Sequence, residues 1–218
     1  MALIYQAELR PSKLELAGEW APSQPWFAGD AGAGLTSLAS YRFDDPAGEV
    51  GVETLLVRAG DGPVLQLPLT YRGVPLVDAD DWLIGTLEHS VLGTRWVYDG
   101  VGDPVYLLTV ASAIIAGGGQ AELYVDVDGV QVRREPTAIV SGSGLSGVSL
   151  PALPMVGELS VHSEDGLSVI ETDRLRVAVR RVLDAADTPG GEATGVLTGT
   201  WAEQPKPLPL VFASERRE

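Results

Sequence analysis

Valines alternate with polar residues through "AELYVDVDGVQVRRE": Val125 and Val127, then Val130 and Val132, with Asp128-Gly129 between them. A period of two puts alternate side chains on one face of a strand, and Asp-Gly suits the positive φ angles of a two-residue turn. The segment therefore predicts a hairpin. "VETLLVRAGDGPVLQLPLTYR" predicts a second, turning at Gly60-Asp61-Gly62. Further strands are expected at Leu3–Leu9, Leu35–Phe43, Glu158–His162, Leu167–Glu171, Leu175–Val182, Gly195–Trp201 and Leu208–Ala213.

One segment changes period. Val105, Leu108, Ala111, Ile114 and Ile115 recur near helical spacing, Asp103 is a good N-cap, and Pro104 falls at the first helical position. Gly117-Gly118-Gly119 then ends the helix. The tract before it, "HSVLGTRWVYDGVGDPVY", reads as a strand and turn feeding the helix N-terminus. The small residues and prolines from Ser141 to Pro154 predict a boundary. The expected fold is α+β: a curved antiparallel sheet with one main helix over residues 1–118, then a second β-rich unit over 119–218.

Composition narrows the function classes. Thirty acidic against 15 basic residues give a net charge of −15. Residues 1–110 hold 15 acids and 6 bases, so the excess is not confined to one tail. That field repels phosphate backbones and anionic lipid headgroups, which argues against nucleic-acid and membrane partners. Absence of cysteine excludes disulfides, thiol nucleophiles and cysteine-ligated metals. The opening "MALIYQAELRPSK" has charge of both signs and no long apolar run, unlike a signal peptide. A soluble cytoplasmic protein is expected.

Catalytic patterns are weak. His89 and His162 are too far apart in sequence for a helical or loop zinc pair, and no G-x-S-x-G elbow occurs. "DVDG" starts like a calcium loop but lacks its later ligands, and Asp78, Asp80 and Asp81 read as a solvated acidic loop. "GSGLSG", Gly142 to Gly147, spells G-x-G-x-x-G, yet the prolines that follow deny it a phosphate-binding helix. It is read as a flexible loop. Arg174, Arg176, Arg180 and Arg181 are expected to pair with the protein's own carboxylates. No cofactor or metal is expected.

Three segments in order resemble the bacterial maltokinase family, specifically its N-terminal cap. They are "WAPSQPWFAG" from Trp20, "LPLTYRGVPL…DDWLIGTLE", and the tract around "WVYDGVGDPVY". The second half resembles a degenerate kinase N-lobe in "GLSVIETDRLRVAVRRVLD", where the phosphate-binding lysine of the family falls at Val177 or Ala178. Only 35 residues follow Leu183, and no catalytic-loop motif is found in them. The resemblance implies a non-catalytic accessory protein of α-glucan, maltose or trehalose metabolism, bound to an enzyme of trehalose synthase or maltokinase type. Its candidate ligand or interface residues are Trp26, Phe27, His89, Arg95, Trp96 and Asp99. The alternatives are a carbohydrate-binding module, or a small glucan-active enzyme such as a branching enzyme that uses surface carboxylates.

Overall fold

A computed structural model describes residues 2–4, 8–127, 130–144, 158–164, 166–183 and 193–215. The Asp128-Gly129 turn and most of the Ser141–Pro154 stretch lie outside the described residues. In chain order the first half contains β1 (Ala2–Ile4), β2 (Leu9–Arg10), helix α1 (Lys13–Trp20), β3 (Leu35–Phe43), β4 (Gly51–Ala59), β5 (Val64–Arg72), β6 (Leu83–His89), β7 (Gly93–Asp99) and helix α2 (Pro104–Ala116). The second half contains β8 (Leu123–Val127), β9 (Val130–Arg134), β10 (Ala138–Gly142), β11 (Ser160–Glu164), β12 (Leu167–Glu171), β13 (Leu175–Arg180), β14 (Gly195–Trp201) and β15 (Gln204–Glu215). The class is α+β, mostly strand.

Two six-stranded antiparallel sheets make up the body, in the orders β2-β6-β7-β5-β4-β3 and β10-β14-β15-β13-β12-β11. A third, three-stranded sheet has the order β1-β8-β9, with β1 parallel to β8. The expected Leu3–Leu9 strand is thus corrected: its described parts, β1 and β2, belong to different sheets. The two hairpins form as expected, β4 with β5 and β8 with β9.

Strands β4 and β5 are buried along most of their length because the first sheet is covered on both faces. One face packs against α1 and Trp26 through Leu55, Val57, Leu67, Leu69 and Val97. The other carries Tyr41, Val52 and Leu56 into a core shared with α2 and the second sheet's Val177, Val179 and Leu210. In the second sheet, register slips between β14 and β15 beside Pro209, whose missing N–H cannot complete a ladder.

Helix α2 begins and ends where the sequence placed it. The Asp103 side chain accepts from Val105 N–H, and Gly117 caps the other end in the left-handed conformation. Arg72 grips the same Asp103 carboxylate through two 2.7 Å hydrogen bonds, tying the helix start to β5. Helix α1 is an addition to the single main helix expected. Its signal was a capping box: Ser12 accepts from Glu15 N–H while Glu15 accepts from Ser12 N–H.

Main-chain hydrogen bonds also join the two large sheets. Leu65 bridges Val182, Leu183 N–H donates to Val64, and Gln66 N–H donates to Arg181. The buried Gln66 amide donates to the carbonyls of Arg180 and Leu210 and accepts from the Tyr41 hydroxyl.

Candidate functional site

Cross-strand partners share a face, so register decides which side chains meet. Arg42 on β3 lies opposite Glu53 on β4, and Gly51 lies opposite Tyr71 on β5. Tyr71 faces Val97 on β7, two residues from Arg95; Arg95 in turn faces Leu87 on β6, two residues from His89. Arg42, Glu53, Tyr71, Arg95 and His89 are therefore neighbours on the face that α1 covers. Lys13, the first residue of α1, reaches down to them. Its ammonium is 2.5 Å from Glu53 Oε2 and 5.2 Å from the centre of the Tyr71 ring.

Glu53 is 6% exposed, and burial by itself favours its neutral form. The charges of Lys13 and Arg42, with hydrogen bonds from Lys13 and Tyr71, outweigh that burial and hold its carboxyl below the ordinary range. A carboxylate stabilised in the fold contributes stability above its unfolded pKa, about 4.3, and loses it as pH falls through the folded value. Glu53→Gln is therefore expected to lower stability at pH 7 by about 1–3 kcal/mol, the worth of a charged hydrogen bond. That gap should narrow below the unfolded pKa and close only as pH falls through the lower folded value, where the wild-type carboxyl is protonated too. Urea titrations from pH 7 down through that range measure it.

The expected contact residues separate into distinct settings. His89 and Arg95 belong to the cluster just described. His89 Nδ1 accepts from the N–H groups of Val91 and Leu92 in its own hairpin turn, so it shapes that turn. Burial, then the charges of Arg95 and Lys13, lower its pKa, which favours neutral imidazole. Trp96 points to the opposite face of β7 from Arg95 and is half-buried.

Asp99 and Trp26 meet through Arg181, which pairs with a carboxylate of the protein as expected, here that of Asp99. Arg181 is fully buried, donates to Asp99 Oδ2 at 2.5 Å and to Ser168 Oγ at 2.7 Å, and stacks 4.8 Å from the Trp26 ring. Trp26 also packs at 5.6 Å against Trp20, and Phe27 flanks that core half-buried. This constellation ties the second sheet to the first. Of the remaining arginines of its region, Arg174 and Arg176 pair with carboxylates as expected, whereas Arg180 donates to main-chain carbonyls. Arg176 pairs with Glu164 and Glu171, Arg174 with Asp173, and Arg180 donates to the Pro209 and Leu183 carbonyls.

The other motifs resolve structurally. His162 lies on β11 in the second sheet, 3.9 Å from Glu164. Asp78, Asp80 and Asp81 are solvent-exposed. Gly142, Ser143 and Gly144 do not form a free loop: Gly144 N–H donates to Ile114, Gly142 N–H to Gly118, and Ser143 N–H to Val196. The glycines let this chain approach the α2 backbone closely. Among the described residues no group of His, Asp and Glu is arranged to hold a metal ion, and no helix is long and apolar enough to cross a membrane.

A search of curated proteins finds no match to this chain. A family model does match, over residues 20–103, from the Trp20 end of α1 to the Asp103 cap of α2. That span holds β3 to β7, the strands that carry Arg42, Glu53, Tyr71, His89 and Arg95. The family is the maltokinase N-terminal cap domain, and it is this domain that residues 20–103 of the chain resemble.

Proposed function

We propose that the protein is a non-catalytic accessory of bacterial α-glucan, maltose or trehalose metabolism that acts by binding an enzyme of trehalose synthase or maltokinase type. The observation that carries the binding role is strand β9. It is the last strand in the order β1-β8-β9, and it presents Val130 and Val132, 62% and 47% exposed, to solvent. Both valines share one face with Val125 of β8 and Arg134. An edge strand with exposed apolar side chains invites strand addition or apolar packing from another chain.

Two further features support the reading. The positions where the family resemblance places a phosphate-binding lysine are Val177 and Ala178, adjacent residues on opposite faces of β13. Each is buried in an apolar core, so neither face offers a cation there. Four of the five tryptophans, Trp20, Trp26, Trp82 and Trp201, are packed in the cores rather than displayed for stacking on sugars. The pathway is proposed from the resemblance to maltokinases, which the cap-domain match over residues 20–103 supports only at the level of that domain.

Size-exclusion co-elution with purified trehalose synthase and with a full-length maltokinase tests the proposal. One of them is expected to co-elute, and Val130→Asp with Val132→Asp should abolish co-elution without lowering the melting temperature. Turnover of maltose, trehalose or glycogen that a single carboxylate substitution abolishes would establish an enzyme instead.

A further inference from the structure

Every residue of β9, from Val130 to Arg134, is exposed to solvent. Strand β8 lies on one side of it, and no strand among the described residues lies on the other. Its outer edge therefore carries main-chain N–H and C=O groups that no ladder satisfies, the template on which another chain can pair.

The two faces of β9 differ in how their charges are met. On one face Arg133 lies opposite Tyr124 and pairs with Glu122, both members of that pair being more than half exposed. The other face reads Val130, Val132, Arg134 at a period of two. There Val132 lies opposite Val125 and Arg134 opposite Leu123, so the cross-strand neighbour of this arginine is apolar. Arg134 forms no ion pair among the described residues, in a chain with 30 acids to 15 bases. Directly opposed positions on neighbouring strands favour opposite charges. Leu123 holds that position on the β8 side, so a carboxylate can take it only from the open side.

We infer that the partner adds an extended strand to the open edge of β9, with an Asp or Glu opposite Arg134 and apolar residues opposite Val132 and Val130. The inference rests on the β9 binding role proposed above and names how the contact is made. Antiparallel pairing is slightly the more stable, and it gives the incoming segment the order acid-x-apolar-x-apolar. Main-chain hydrogen bonds supply the affinity and the alternate side chains the specificity. The net charge of −15 does not forbid an acidic segment, because that field is screened beyond about 8 Å at physiological salt and the Arg134 contact is closer.

A fluorescein-labelled peptide, Lys-Glu-Thr-Val-Thr-Val-Thr, titrated with the full chain tests this without either enzyme. A saturable rise in anisotropy is expected. The same peptide with Lys in place of Glu should bind about tenfold more weakly, the worth of one charged contact. Arg134→Glu, at an exposed position that should leave the melting temperature unchanged, is expected to reverse that preference. Alternate N–H groups of an added strand point at its neighbour, so N-methylation of alternate peptide amides should abolish binding in one phase and spare it in the other. Saturable binding with the charge swap, found when neither enzyme co-elutes, would uphold the strand addition and remove the pathway reading. An enzyme that co-elutes through Val130 and Val132, beside a peptide that binds equally with Glu or Lys or equally in both N-methyl phases, would make β9 a packing surface and overturn the inference. Absence of saturable peptide binding would overturn it as well.

Discussion

Replacing Arg181 with Met is expected to destabilise the protein by about 3–5 kcal/mol, the usual result of removing one partner of a buried ion pair. Arg181 is fully buried and Asp99 is 3% exposed. The substitution would remove the 2.5 Å contact to Asp99, the bond to Ser168 and the stacking on Trp26 at once. Most of the loss would come from Asp99, left as an unpaired charge away from water. Burial already pushes its carboxyl up from the ordinary value, against the opposing pull of Arg181 and of the Val101 N–H. Without Arg181 that rise must grow.

The sign of the pH dependence follows. A carboxyl whose folded pKa is raised contributes stability at low pH and loses it as pH rises through the folded value. The Arg181→Met deficit should therefore be smaller at pH 5.5 than at pH 8. Replacing both residues, Asp99→Leu with Arg181→Met, should recover most of the loss, since an apolar pair of similar volume avoids the desolvation cost. Urea denaturation of the four proteins in the cycle measures the coupling, and additive losses would mean that the two groups do not depend on each other.

The difference between Arg181 and α2 explains what could be read from the sequence. Asp103-Pro104 and Gly117 act on their own neighbours: a side chain caps an N–H two residues away, and a glycine adopts φ 67° at the helix end. Such signals are local, and the helix falls where they place it. The hairpins were legible for the same reason. Helix α1 was equally local, written in Ser12 and Glu15, but its eight residues carry too short an apolar stripe to announce themselves.

That Arg181 would pair with a carboxylate was legible, but its partner and the Lys13 cluster were not. Arg181 reaches a carboxylate 82 residues away, across two sheets. Arg42, Tyr71 and Arg95 share one face only because β3, β4, β5 and β7 pair in one register, and a slip of one residue would turn each to the other face. His89 and Arg95 could be marked as candidates by residue type. Their partners follow from strand order, which no local motif in this chain encodes.

Gly142→Ala is expected to cost about 3 kcal/mol or more, at the upper end for inserting a methyl group into a packed site. A Cβ at Gly142 would lie 2.0 Å from the Ala113 carbonyl oxygen and 2.8 Å from Ile114 Cα. These are backbone atoms of α2, so no rotamer change can relieve the overlap; β10 or the last turn of the helix must move. Moving β10 also strains its pairing with β14, where Gly142 faces Leu197. Gly118 is the internal control, because its Cβ would meet Ala113 Cα at an ordinary 3.5 Å. Gly118→Ala should change stability by less than about 1 kcal/mol. For a chain of this length the Gly142→Ala loss corresponds to a fall in melting temperature of roughly 6–12 °C. Equal melting temperatures for the two variants would mean that the glycines of "GSG" are not there to admit the helix backbone. A large difference would assign that motif to packing, since the demand for glycine would then come from the carbonyl of Ala113 and not from a bound phosphate.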